Sequence, residues 1–117
     1  MKIYEIAEIL EAEVLCCKDK LQSEIRTAFG SDMMSDVLAF VKDQSVLLSG
    51  LLNPQVVRTA EMMDMPCVIF VRGKMPADDT KKLAEENGIC VLSTKYTMFT
   101  ACGLLYQNGL RDTSGEE

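Results

Sequence analysis

Residues 46–54, Val-Leu-Leu-Ser-Gly-Leu-Leu-Asn-Pro, are the stretch from which the fold follows. They begin as an apolar run too short for a helix, and a second such run, residues 67–71, comes after a helical pattern that ends near Asp64. Two short apolar runs joined by a helix are typical of a buried parallel β-α-β unit. Asn53 and Pro54 favour the start of that helix, because asparagine caps free N–H groups and proline gives up a donor that had no partner.

The composition indicates a single compact domain. The chain has 117 residues, of which 48% are hydrophobic and 26% charged, and this excludes a disordered chain and a coiled coil. The formal charge of −6 argues against a nucleic-acid binder, since phosphate contacts need a dense basic face. We expect a three-layer α/β/α domain with a mostly parallel sheet over residues 1–111, followed by a short acidic tail at 112–117.

Hydrophobic periodicity predicts the elements around the central unit. Helices are expected at residues 3–10, 33–42, 78–87 and 96–108, and strands at 13–17, 24–29 and 89–92. The strand at 24–29 should lie near an edge of the sheet. Ser31 or Asp32 is expected to cap the helix that follows it.

The cysteines are expected to be thiols of the core. They are odd in number, show no C-x-x-C spacing and lie mostly in or beside apolar runs. The chain has no histidine, so a metal or iron–sulfur site is the less favoured alternative. The N-terminal residues show no signal peptide and no run approaches a membrane-spanning length, so a cytoplasmic protein is expected. The five cysteines are Cys16, Cys17, Cys67, Cys90 and Cys102.

The loops that follow the strands of a parallel sheet meet at one edge, where ligands bind. We call this edge the rim; its loops are expected at residues 30–32, 49–53, 72–74 and 93–96. They combine three cations of an acidic chain with glycines, small hydroxyl residues and helix N-termini, which favours an anionic ligand that carries phosphate. The candidate ligand-binding residues are Gly30, Ser31, Asp32, Ser49, Gly50, Asn53, Arg72, Lys74, Ser93, Thr94, Lys95 and Tyr96.

Simpler roles explain many of the same residues one at a time. The hydroxyl, Asp and Asn residues of the rim stand where helix caps are expected, the glycines where turns are expected, and the cations are also consistent with ordinary solvated charges. There is no Walker pattern and no G-x-G-x-x-G. The prediction of a phosphate site therefore depends on the joint placement of these residues.

The sequence predicts no catalytic residue, no metal and no cofactor. It lacks histidine, a G-x-S-x-G elbow and a cysteine with a suitable base. Asp32 and Asp36, four residues apart, could share a helix face and hold magnesium, which is the less favoured alternative.

The last predicted helix carries more apolar surface than one face of a sheet needs. This surplus points to a partner surface, of which a homodimer is the simplest version, although loops covering the side chains would also account for it. The candidate interface residues are Met98, Phe99, Cys102, Leu105 and Tyr106.

The order of these segments resembles that of stand-alone DRTGG-domain proteins, which are related to the N-terminal domain of HPr kinase. The resemblance runs over residues 3–110 and is carried by residues 28–36, by Leu48-Ser49-Gly50 with Asn53-Pro54, and by residues 92–99. The last segment is similar to the T-x-x-D-T-[FY] segment of the family. Thr97 and Met98 replace its usual aspartate and threonine, and the literal D-R-T-G-G string is absent.

The resemblance implies a fold like the HPr kinase N-terminal domain and a non-catalytic role. Related domains lie at a dimer interface near an adenine nucleotide in a nucleotide-regulated pyrophosphatase, and precede the catalytic part of some phosphotransacetylases. The expected function is thus a regulatory module, a homodimer that senses a phosphorylated metabolite or adenine nucleotide at the rim. The alternative is an interaction or assembly subunit of a larger enzyme complex with no small ligand. Matching to the family singles out Gly30, Asp32, Ser49, Gly50, Asn53, Ser93, Thr94 and Tyr96.

Overall fold

The computed structural model describes residues 1–41 and 44–112. Its elements are α1 (Ile3–Ile9), β1 (Glu13–Cys16), a short 3-10 helix (Lys18–Lys20), β2 (Thr27–Gly30), α2 (Met34–Phe40), β3 (Ser45–Ser49), α3 (Gln55–Met62), β4 (Cys67–Phe70), α4 (Asp78–Glu86), β5 (Cys90–Ser93), α5 (Met98–Gln107) and β6 (Arg111–Asp112).

The described strands form one sheet in the order β1-β5-β4-β3-β2-β6. Only the pairing of β1 with β5 is antiparallel, and the other neighbouring pairs are parallel. Every residue of β3, β4 and β5 is buried, as expected for strands covered by helices on both faces. The predicted α/β fold with a mostly parallel sheet is confirmed.

Hydrophobic cores lie on both faces of this sheet. On one face, Ile6 of α1 and Leu105 of α5 belong to the same buried cluster as Leu48. On the other face, α2, α3 and α4 share a cluster with Leu47. Successive residues of β3 therefore point into opposite layers, and the architecture has the three α/β/α layers that the sequence predicts.

The central unit forms as predicted, with α3 crossing from β3 to the parallel strand β4. The Asn53 side chain accepts a hydrogen bond of 2.7 Å from the Gln55 N–H and so satisfies one free donor at the start of α3. Val56, Val57 and Ala60 are fully buried in the core beneath the helix. The helix thus orients its amino end toward the edge where β3 stops.

The predicted cap of α2 is wrong. Met33 occupies the N-cap position without a side-chain bond to the helix. Ser31 accepts the Met33 N–H at 2.9 Å in the preceding turn, and Asp32 bonds to the loop after β3 instead. The Asp32 carboxylate thus connects two loops, and α2 begins without a side-chain cap. The predicted end of this helix at Lys42 lies outside the described residues.

The predicted start of the tail at Asp112 is also wrong. Asp112 belongs to β6 and pairs in register with Ala28, as Arg111 pairs with Thr27. A strand of two residues is too short to show an alternation of apolar and polar positions, so the sequence pattern gave no sign of it. Residues 113–117 lie outside the described residues.

Cys16, Cys67 and Cys90 are buried, and Cys17 and Cys102 are half-buried; all five are free thiols. Burial raises the pKa of Cys16 to about 12. Over residues 1–41 and 44–112, no cluster of acidic and thiol side chains is arranged to hold a metal ion. None of the described helices has the length and apolar character needed to cross a membrane.

Candidate functional site

The four rim loops lie side by side. They follow β2, β3, β4 and β5, which are consecutive parallel neighbours in the sheet and so end at the same edge. Backbone hydrogen bonds join two of them, because the Arg72 N–H donates to the Tyr96 carbonyl and the Gly73 N–H to the Thr94 carbonyl, both at 2.8 Å. The sequence-based expectation that these loops meet is confirmed.

Asp32 joins the loop after β2 to the loop after β3. Its Oδ1 accepts hydrogen bonds from the Ser49 hydroxyl at 3.0 Å and from the Gly50 N–H at 2.7 Å. The Ser49 oxygen in turn accepts the Leu51 N–H at 3.1 Å. Ser49 is completely buried, so its hydroxyl holds the loops together, whereas the Asp32 side chain remains exposed at the rim.

Three charged side chains of the rim, those of Asp32, Arg72 and Lys74, lie close to Gly50. Its carbonyl accepts a hydrogen bond of 3.0 Å from the Lys74 Nζ. A Cβ atom on Gly50 would lie 3.1 Å from Nη2 of Arg72 and 3.6 Å from both carboxylate oxygens of Asp32. The absence of a side chain is therefore what lets the guanidinium approach the loop backbone.

Arg72 is held in an unusual backbone conformation. Its φ angle of 62° lies in the left-handed region, which costs a residue with a side chain about 1–2 kcal/mol, and Gly73 follows with a φ of 68°. Arg72 is exposed, and no carboxylate of the described residues is within ion-pair distance of its guanidinium. Glu11, Cys17, Gln44 and Asp64 also have positive φ angles, so Arg72 is distinguished by its guanidinium, which lies beside Gly50 at the rim.

Two of the predicted ligand-binding residues are buried beneath the rim, where they bond to backbone carbonyls of the protein. The Thr94 side chain is 1% exposed and donates to the Leu10 carbonyl at 2.7 Å. The Ser93 hydroxyl donates to the Lys74 carbonyl at 2.8 Å and is buried as well. These hydroxyls fix the loops after β5 and β4, so the expectation that the Thr94 side chain contacts a ligand is corrected.

The remaining predicted residues lie around this centre. The Tyr96 hydroxyl donates to Glu11 Oε2 at 3.0 Å, and this hydrogen bond to a carboxylate raises the pKa of Tyr96. Lys95 is exposed. Ser31 and Asn53 are occupied by the local turns described above, and Gly30 ends β2.

A cavity of about 270 Å³ opens beside Gly30, between α5 and the edge of the sheet. The sequence pattern does not reveal this cavity, because one of its walls is the unrecognised strand β6. A Cβ atom on Gly30 would lie 2.9 Å from the Cys102 sulfur, so glycine lets α5 approach β2 closely. The cavity is lined by Ala28, Phe29, Gly30, Cys102, Leu105, Tyr106, Leu110, Arg111 and Asp112.

The candidate interface residues divide between the surface and the core. Phe99 is 89% exposed and Tyr106 is 55% exposed, while Met98 and Cys102 are half-buried. Leu105 is 1% exposed within the core, so its assignment to the interface is wrong: it lies on the stripe of α5 that faces the sheet.

The fold is that of a three-layer α/β domain, a class of protein in which ligands bind in the loops at the ends of parallel strands. Comparison with protein families matches residues 5–107 to the DRTGG domain. Since this match covers most of the chain, the chain belongs to the DRTGG-domain family.

A solved structure with a similar fold contains the CBS and DRTGG domains of the regulatory region of Clostridium perfringens pyrophosphatase, complexed with the activator diadenosine tetraphosphate. The TM-score is 0.75 and the sequence identity 19%, over 91% of this chain and 46% of that one. The chain thus spans about half the length of this relative, and the likeness shows a shared fold. Among curated proteins, no sequence matches the chain.

Proposed function

We propose that this DRTGG domain is a non-catalytic regulatory module that binds a phosphorylated metabolite or an adenine nucleotide at the rim. The observation that carries the proposal is the exposed Arg72 guanidinium, held over Gly50 by a left-handed turn and without a carboxylate partner among the described residues. The regulatory region of the similar pyrophosphatase is complexed with a nucleotide activator, which supports the same class of ligand.

The neighbouring groups suit a phosphate. Lys74 bonds a neutral carbonyl of the loop and forms no ion pair with an acid of residues 1–41 or 44–112. The planar guanidinium of Arg72 can hold two phosphate oxygens at once, and each charge-assisted hydrogen bond contributes about 1.5–3 kcal/mol. On a chain with a net charge of −6, these cations give the rim a local positive charge that favours an anion.

The groups at the rim favour binding over catalysis. Asp32 precedes α2, which begins at Met34, so it does not share a helix face with Asp36; this argues against the alternative magnesium site. Away from the rim, burial raises the pKa of Cys16 and also that of Cys67, so these two thiols are poor nucleophiles at neutral pH.

Calorimetry and thermal melting at low salt test the proposal, with ATP, diadenosine tetraphosphate and a sugar phosphate as ligands. A ligand at a hundred times its Kd should add about 2.7 kcal/mol of stability and raise the Tm by about 10 °C. Arg72→Ala should abolish the shift. Arg26→Ala is the matched control, because Arg26 is another exposed arginine but precedes β2 at the opposite edge of the sheet. The proposal fails if none of these ligands binds.

We further propose that the domain forms a homodimer through the exposed face of α5. Phe99 and Tyr106 lie on this face with Gly103, and α5 itself carries no acidic residue, so two copies of an acidic protein can approach there without repulsion between carboxylates of the helix. The alternative function, an assembly subunit of a larger enzyme complex without a small ligand, would use the same face. A cytoplasmic location agrees with the five free cysteines, which suit a reducing compartment.

A further inference from the structure

We propose that the cavity between α5 and strand β2 binds the ring system of the same ligand whose phosphates contact Arg72 and Lys74. The inference rests on the proposed function and deepens it, because it makes the ligand a nucleoside polyphosphate rather than a phosphorylated sugar or acid. The structural basis is the position of Gly30, which lines the cavity and also begins the first loop of the rim.

The cavity suits a flat and largely apolar group. Its volume of about 270 Å³ is close to the lower end of ligand pockets, which begin near 300 Å³. Ala28 and Leu105 supply apolar walls, and Cys102 adds a polarisable sulfur. Such a space is large for the trapped water of a small domain and small for a peptide.

Tyr106, Arg111 and Asp112 are polar residues that also line the cavity. The Arg111 guanidinium stacks on the Tyr106 ring, 4.1 Å from its centroid, and also donates to the Tyr106 carbonyl at 3.0 Å. The guanidinium is thus fixed over an aromatic face instead of moving freely in solvent. Its plane and the phenol offer stacking and edge donors to a heterocycle.

Asp32 occupies the middle of the path from the cavity to the cations. It follows Gly30 by two residues, and its bonds to the Ser49 hydroxyl and the Gly50 N–H lead to the backbone beneath Arg72. Parallel strands lie about 4.8 Å apart, so the ends of β2 and β4 are about 10 Å from each other, a gap that a sugar and its first phosphates can bridge. A carboxylate at this point would repel phosphate but accept the hydroxyl groups of a sugar.

The order of groups along the rim is therefore apolar cavity, carboxylate and cations. It corresponds to the order of base, sugar and phosphates in a nucleotide. A sugar phosphate or a carboxylic acid would leave the cavity empty.

Protection of cysteines in the unmodified protein tests this assignment. Cys102 lines the cavity, whereas Cys17 lies beside α4, with its sulfur 4.0 Å from the Ala84 carbonyl. Both thiols are half-buried and desolvation raises the pKa of both, so they form a matched pair. Reaction with methyl methanethiosulfonate is followed by peptide mass spectrometry, with ATP, with inorganic triphosphate and without ligand.

ATP at a hundred times its Kd should slow the modification of Cys102 about tenfold or more and leave that of Cys17 unchanged. Inorganic triphosphate should bind without protecting Cys102. The inference is overturned if ATP binds and Cys102 reacts at its original rate, or if both cysteines slow equally; the proposed function survives either result. If ATP does not bind at all, both the inference and the nucleotide form of the proposed function fail.

A variant on the strand side of the cavity gives a second readout that does not touch the exposed face of α5. Ala28→Ile fills the space and should weaken ATP about tenfold while inorganic triphosphate binds as before, whereas Arg72→Ala should weaken both. Retained triphosphate binding also shows that the variant is folded. Unchanged ATP affinity in Ala28→Ile, or loss of both ligands, would contradict the assignment.

Discussion

The Asp32 carboxylate accepts a hydrogen bond of 2.7 Å from the backbone N–H of Gly50, and this contact links the ends of two neighbouring strands. It also places an acid and the Arg72 guanidinium close to the same glycine without an ion pair between them. The arrangement of the rim therefore depends on the backbone of Gly50 as well as on its charged side chains.

Replacement of Asp32 should destabilise the protein as well as alter the rim. Asp32→Ala removes the acceptor of the Ser49 hydroxyl and of the Gly50 N–H, and we expect a loss of about 1.5–3 kcal/mol in the free energy of unfolding. Urea denaturation measures this loss. Asp36→Ala, at an exposed carboxylate of α2, should change stability by no more than about 0.5 kcal/mol; equal losses in the two variants would contradict the linking role of Asp32.

A methyl group on Gly50 should separate binding from stability. In Gly50→Ala the new Cβ meets the end of a flexible side chain, Nη2 of Arg72, at 3.1 Å, so the guanidinium can move away at a cost of about 1 kcal/mol or less. The displaced guanidinium should weaken ATP about tenfold in calorimetry. A variant that keeps the full ATP affinity would show that the position of Arg72 over Gly50 does not matter for binding.

The exposed face of α5 should control the oligomeric state. Phe99→Asp places a charge on the uncharged helix, so the protein should become monomeric in light scattering and remain folded by circular dichroism. Met62→Asp is the control, because Met62 is 64% exposed but lies on α3, on the other side of the sheet. An unchanged oligomer in Phe99→Asp would count against this face as the interface.

Gly103 offers an independent test of the same surface. It lies inside α5 with open space around its Cβ position, so Gly103→Ala should raise the helix propensity and stabilise the monomer by about 0.5–1 kcal/mol. If two copies of α5 pack closely at this glycine, the extra methyl group should also weaken the dimer. Thermal melting at several protein concentrations distinguishes the two effects.

Alkaline pH should weaken the fold through its buried thiols. Burial raises the pKa of Cys16 from 9.0 to about 12 in the folded state, so the neutral thiol favours the folded protein below pH 9 and this contribution is lost as the pH rises toward 12. The urea midpoint should therefore fall between pH 8 and pH 11. Cys16→Ala should show a shallower fall over this range, and a fall as steep as that of the unmodified protein would assign it to other groups.

The sequence predicted the central fold well because its signals are local. A short apolar run, an Asn-Pro helix start and a second apolar run specify β3, α3 and β4, and alternate strand residues assign the two layers. The convergence of the rim loops then follows from the geometry of a parallel sheet.

The arrangement of the site could be predicted only in part. Arg72 and Lys74 lie at the rim as predicted, but Asp32 was equally expected to be a helix cap, because capping a helix and bridging two loops use the same residue type. The inward hydrogen bond of Thr94 to Leu10 joins residues far apart in the chain, which no local pattern reveals. The cavity depends in turn on β6 and was therefore missed together with it.

The short strand β6 affects the order in which the domain folds during synthesis. Its residues pair with Thr27 and Ala28, and β1 on the opposite side of the sheet pairs with β5, so both margins join parts of the chain that are made at very different times. During synthesis, the outer backbone groups of β2 can bond only to water until residue 112 has left the ribosome. The cavity wall should thus be among the last parts of the nascent protein to form, and chaperones would find the margin of β2 exposed before then.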